Sequence, residues 1–326
     1  MSLLERAASF HGDVKDWYSY EPVTGVAVAA CACFAVGLVV HLWQMIRHKA
    51  WIWCVMVIAV AMECFGYGIR IASTHDVASK PKFVAQYVLI VLAPVLMTGI
   101  IYVVFGRIVF HVVPAESRTA KLLWAPPRWI TPIFVGCDVV ALLLQLVGAV
   151  MIAGTSPTDT DAKDKLKRGK DIALAGVTVQ IVGFGLFSVI AARFHFTSKH
   201  FKDDLQKRLQ PVPGEKMVTV PGLDRKFRPN WEVLLYAVNL SCALILVRSI
   251  YREIEFGEGK TGYSNTHEWV QYCFDTIPMV MLTLLYAIFP PGRYVQMSFK
   301  QTKGAAQARS LNGSSDVEAA PIQGAA

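Results

Sequence analysis

Ionisable residues break into the apolar stretches of this 326-residue chain at a recurring interval. Glu63 precedes Arg70 by seven positions, and the same interval separates Asp138 from Gln145, Arg248 from Glu255, and Glu268 from Asp275. Seven residues of ideal helix make about two turns, so the members of each pair share one face with backbones about 10 Å apart, too far to pair readily with each other. A charge turned toward lipid mid-bilayer costs at least about 3 kcal/mol, so each polar stripe must face protein or water. The chemistry open to such residues is recognition: carboxylates, guanidinium groups and an amide in a shared interior site can dock a polar headgroup while its tail stays among apolar side chains. Glu63, Arg70, Asp138, Gln145, Arg248, Glu255, Glu268 and Asp275 are therefore the candidate substrate-binding residues. Arg70 or Arg248 is expected to pair across helices with Glu63, Asp275, Glu268 or Glu255, with no assignment among them. Ion pairs that merely fix helix register would produce the same pattern.

The elements that must position these residues are membrane spans. Hydrophobic residues make up 54% of the chain, charged ones only 17%, and the mean hydropathy is +0.42, too apolar for a soluble core of this length. A span needs about 20 mainly apolar residues. Seven stretches qualify, at roughly 23–43, 51–73, 83–106, 129–153, 171–193, 231–250 and 268–289. Most connections are short, which predicts an all-α polytopic membrane protein, one seven-transmembrane helix bundle with antiparallel neighbours. Residues 1–22 carry scattered charge and no cleavable signal pattern, so the first span is expected to insert uncleaved. With the N-terminus out and C-terminus in, inward segments carry 19 of the 32 Lys and Arg residues and outward ones 11. The chain thus divides into an extracellular N-terminal segment (1–22), a membrane domain (23–292) and a cytoplasmic, largely disordered tail (293–326). Measured at about 1.5 Å per residue from the inner ends, the polar group clusters in the middle and outer part of the bundle. Pro94 and Pro278 are expected to kink the third and seventh spans.

Several function classes fall away. The net charge of +8 suits loops lying against an anionic leaflet, and nothing interleaves bases with aromatics on a soluble face as nucleic-acid binding would require. All seven cysteines fall within spans, leaving no loop zinc site and no extracellular disulfide framework. The FGEGKTG stretch at 256–262 has Ile254 where a phosphate loop needs its first glycine, so ATP hydrolysis is unsupported. The last span holds no lysine for a retinal-type chromophore, and no three histidines converge for an intramembrane zinc hydrolase. No nucleophile, base and orienter stand at a credible spacing, so an enzyme is not expected. His41, the one histidine clearly inside a span, could ligate a haem or porphyrin iron, though an interfacial hydrogen-bonding role is the commoner one; no other cofactor or metal is expected.

The order of these residues resembles the fungal seven-span lipid-translocating exporters, the RTA-like family, which includes sterol-analogue resistance proteins, a sphingoid long-chain base exporter and a protoporphyrin uptake protein. The resemblance runs over about residues 20–292. It is carried by Tyr20-x-Pro22, His41, Glu63-x-x-Gly66-Tyr67-x-x-Arg70, Ala93-Pro94, Tyr102, Gly106-Arg107, Phe134-x-x-x-Asp138 and Gln145-x-x-Gly148. The later half adds Arg248-Ser249-x-Tyr251-Arg252-x-x-Glu255-Phe256-x-x-Gly259-x-x-Gly262, His267-Glu268, Tyr272-x-x-Asp275 and Pro278-Met279. One departure is Pro290-Pro291-Gly292, where the family leads one to expect His-Pro-Gly. The resemblance implies a plasma-membrane or vacuolar protein that moves or protects against amphipathic lipids such as sphingoid bases, with membrane lipids as its partners. It directs attention to Glu255 as a receiver of a cationic headgroup. A lipid-sensing, receptor-like binding protein and a haem or porphyrin binding or uptake protein are the alternatives.

Overall fold

The computed structural model describes residues 23–74, 79–113, 127–155, 161–208, 210–211, 218–219, 226–227, 230–258 and 262–294. The expected extracellular segment 1–22, nearly all of the expected tail, and residues 259–261 of the glycine-rich turn lie outside the described residues. Among the described residues, seven helices are long and apolar enough to cross a bilayer: Thr24–Arg47, Trp51–Thr74, Pro81–Phe110, Trp129–Ile152, Ala162–Ser198, Trp231–Glu258 and Glu268–Tyr294. The chain is therefore an all-α, seven-span integral membrane protein. Three two-residue strands, Gln210–Pro211, Val218–Thr219 and Lys226–Phe227, pair antiparallel between the fifth and sixth spans.

The helices outrun their apolar windows. The third runs over Lys80–Val112, the fifth over Ala162–Arg208 and the sixth to Glu258. Lys, Arg, Glu and Gln are good helix formers, so nothing stops the helix where hydropathy falls. The 47-residue fifth helix is about 70 Å long, roughly twice the hydrocarbon thickness.

Consecutive spans are neighbours around a ring that the seventh closes against the first, and the third also touches the sixth across the interior. Lipid is no less apolar than leucine, so close backbone approach has to supply the association. Between the fourth and fifth spans it does. A Cβ on Gly148 would lie 2.5 Å from the Gly169 carbonyl oxygen, and one on Gly176 would lie 2.7 Å from that of Ala141. Val39, Trp43, Phe65, Leu143, Leu186 and Ile288 point outward, as a lipid-facing surface requires. An odd number of crossings sets the two ends of the bundle on opposite faces, called below the N-terminal face and the C-terminal face.

The two prolines act differently. Pro94 stays inside a continuous helix, whereas Pro278 opens the regular helix Ile277–Ile288 directly after a π-helical turn, Tyr272–Thr276. A π-turn widens the backbone and re-aims its side chains, and Asp275 sits in this one.

Candidate functional site

Seven of the eight candidate residues lie in the middle of the bundle or toward the N-terminal face, where the structure gathers six of them into two ion clusters and a cavity and leaves Glu63 beside the second cluster. The first cluster joins three spans. Arg70 Nη2 donates to Glu268 Oε1 at 2.8 Å and its Nε to the Tyr272 hydroxyl at 3.2 Å, with the guanidinium 5.5 Å from the Tyr272 ring centre. Glu268 Oε2 accepts the backbone N–H of Val23 at 2.7 Å, so one carboxylate ties the start of the first span to the second and seventh.

The second cluster is centred on Asp275, which is fully buried. It takes an ion pair from Arg248 and two hydrogen bonds from Arg252, Nη2 to Oδ2 at 2.5 Å and Nε to Oδ1 at 3.3 Å. Arg252 Nη1 also donates to Glu255 Oε2 at 2.9 Å, one turn along its own helix. Arg248 Nη2 donates to the Ile90 carbonyl at 2.8 Å. That carbonyl is the one Pro94 deprives of its helical N–H, and inside a membrane a freed carbonyl must find a partner. The proline on the third span and the arginine on the sixth are thus complementary.

Glu63 stands beside this cluster without joining it. It is 1% exposed, its Oε1 has no hydrogen-bond partner, and the positive charges that act on it, Arg248 and Arg252, are already committed to Asp275, Ile90 and Glu255. Its helix neighbour Tyr67 shares a hydrogen bond with Thr276 Oγ1 at 2.5 Å.

A cavity of about 30 Å³ adjoins the arginines, bounded by Val91 and Pro94, Gln145, Val177 and Gln180, and Arg248. That is room for a water molecule or two. Gln145 Nε2 donates to Gln180 Oε1 at 2.9 Å across its wall. The lining is mixed: two amides, two guanidinium groups and a hydroxyl together with two valines, Pro94 and Phe256.

Asp138 is set apart from all of this. Its Oδ2 accepts from Thr98 Oγ1 and the Tyr102 hydroxyl, both at 2.9 Å, and its Oδ1 has no partner. Glu63 and Arg70 do not pair with each other; the pairs formed are Arg70 with Glu268, and Arg248 with Asp275. Arg252 is the residue that sequence reasoning missed. It lies four positions beyond Arg248, hence on the same face, but past the end of the apolar window at about 250. Tyr67, four residues after Glu63, carried the same signal.

His41 lies at the opposite end. Its Nδ1 accepts the Trp53 indole N–H at 3.3 Å, and its Nε2 meets the Thr283 carbonyl at 3.1 Å. Both ring nitrogens are occupied, so the geometry does not fit an axial iron ligand. Among the described residues no group of three His, Cys, Asp or Glu could hold a metal ion.

The model of the family described as RTA1 like protein matches residues 56–298. The chain is similar to protein RTA1 of Saccharomyces cerevisiae (strain ATCC 204508 / S288c), with 30% identity over 264 residues, 80% of this chain and 73% of that protein. It is similar to protoporphyrin uptake protein 1 of the same strain, with 29% identity over 230 residues, 70% of this chain and 64% of that protein. It is similar to the sphingoid long-chain base transporter RSB1 of that strain, with 24% identity over 276 residues, 79% of this chain and 69% of that protein. The chain therefore spans about two thirds to three quarters of the length of these relatives. No solved structure matches it.

Proposed function

The chain belongs to the RTA1-like family, and from that premise we propose that it moves amphipathic lipids with a cationic headgroup, sphingoid long-chain bases among them, across the bilayer without ATP, and so protects against toxic lipids. The observation that carries this reading is a charge imbalance in a buried site. Around the two guanidinium groups of Arg248 and Arg252 stand three carboxylates, Asp275, Glu255 and Glu63, while Arg70 and Glu268 balance each other. Buried charge is costly unless paired, so the cluster is one positive charge short. The ammonium of a sphingoid base supplies that charge, its hydroxyls suit Gln145 and Gln180 in the adjoining cavity, and its chain stays with the valines and the lipid. The cavity is smaller than such a headgroup, so loading requires the sixth helix to move away from the third. On this reading the protein is a carrier and not an enzyme, it resides in the plasma or vacuolar membrane, and the charged face is the outer one.

The test is movement of a fluorescent sphingoid base in nucleotide-free proteoliposomes of the purified chain. Movement well above protein-free vesicles is expected, and an N-acylated analogue without the ammonium should move little. Equal movement of both lipids would overturn the assignment of headgroup class. Binding without movement would replace the carrier by a lipid sensor, and a Soret band in the purified protein would bring back the porphyrin reading.

A further inference from the structure

Glu63 raises a question that binding alone does not answer: what balances its charge when no lipid is present? Every arginine near it is engaged elsewhere, its Oε1 meets no donor, and it is 1% exposed. The groups that face it are few. Its own helix offers Tyr67, bonded to Thr276, and Arg70, paired with Glu268. The sixth span brings Arg248 and Arg252, the seventh brings Asp275 and Tyr272, the third brings Tyr87 beneath the Arg252 guanidinium, and from the first span Cys31 meets the Cys64 carbonyl and Phe34 stacks on Tyr67. None supplies a free positive charge.

We propose that Glu63 is a shared seat for a proton or a lipid ammonium, never both, and that the protein is a proton–lipid exchanger. This rests on the carrier reading above and adds its energy source. With the site empty, Glu63 holds a proton and the cluster is neutral. When the cationic headgroup docks, the O–H bond of the carboxyl breaks, the proton leaves to water on the face that is open, and the ammonium takes over the balance of charge. Release of the lipid on the other face leaves a bare buried carboxylate, which takes up a proton from water there before the helices close. A helix arrangement with neither occupant carries an uncompensated buried charge, so the empty, unprotonated carrier does not cross between its two states. That penalty makes the exchange obligatory and one-for-one.

The experiment uses a sphingoid base trimethylated at nitrogen, whose permanent charge prevents it from carrying a proton by itself, in nucleotide-free proteoliposomes with an entrapped pH dye. At one-for-one exchange, a gradient of one pH unit should support about a tenfold lipid accumulation ratio. The dye should report proton flow opposite to the lipid, and neither signal should occur with the N-acylated neutral analogue. Glu63→Gln should lose the dye response and the gradient dependence. Should that variant fail to fold, proton release on binding the trimethyl lipid to wild-type protein in lightly buffered detergent gives the answer, with about one proton expected per lipid bound. Lipid movement at a rate indifferent to the gradient, with no dye response or proton release, overturns the exchanger and leaves the carrier standing. No movement of any lipid removes the carrier itself.

Discussion

The two ends of the bundle are held together by different physics. Toward the C-terminal face, Tyr102, Phe105, Phe134, Phe184, Phe187 and Phe194 interlock, with ring centres 4.5 Å apart for Tyr102 and Phe187 and 5.3 Å for Phe105 and Phe187. Toward the N-terminal face, the third, sixth, seventh and second spans meet through Asp275, Arg248, Arg70 and Glu268. Edge-to-face aromatic packing is short-ranged and apolar, and the acid beside it, Asp138, is held by the Thr98 and Tyr102 hydroxyls and not by an ion pair. Ion pairs in a low-dielectric site are directional and can be exchanged for other ion pairs. On the carrier reading, the charged end trades partners and the aromatic end keeps the site closed toward the C-terminal face until the helices rearrange.

Five substitutions break or sharpen that contrast. Asp275→Asn should cost most, about 3–5 kcal/mol, because two buried guanidinium groups lose their shared counter-charge; thermal unfolding in detergent measures it, and a cost near zero would mean that the cluster is hydrated. Phe187→Ala should cost about 3 kcal/mol through the cavity it leaves, and should also raise leak of a small ion through proteoliposomes, which no change at the charged end should do. Gly148→Leu should cost about 1–3 kcal/mol by forcing the fourth and fifth spans apart, while the same change at Gly185, where an added Cβ would have no neighbour within 4 Å, should be nearly silent. Glu63→Gln should change stability least, by about 0.5 kcal/mol or less, since on the exchanger reading the neutral, protonated carboxyl of the lipid-free protein is exchanged for a neutral amide of the same shape. A large stability loss there would show that Glu63 is an ordinary ion-pair member.

Hydropathy finds all seven spans because a bilayer demands apolar length, and the seven-residue intervals mark the interior faces because charge cannot be left in lipid. What hydropathy misses is where helices end. The window closes near residue 250, yet the sixth helix runs to Glu258, and Arg252 falls in the difference. Partner choice is equally hidden. Arg70 turns to Glu268 and not to an acid of the second cluster because the seventh span brings Glu268 to its level, a fact of helix register and not of composition. The solitary state of Glu63 is legible only once the commitments of Arg248 and Arg252 are known. Asp138 shows the converse: it shares the seven-residue signature, yet its partners are the hydroxyls of Thr98 and Tyr102.

The bond from Arg248 to the Ile90 carbonyl gives this molecule a built-in vibrational reporter. A backbone carbonyl that accepts from a guanidinium absorbs at a lower infrared frequency than one with no donor, and an isotope label at residue 90 would isolate its band from the rest of the helices. On the carrier reading, movement of the sixth helix away from the third strips that oxygen of its donor, so the band should jump between two positions instead of drifting. The fraction of molecules in each position would then read out the open and closed populations directly, with no dye attached and no side chain altered.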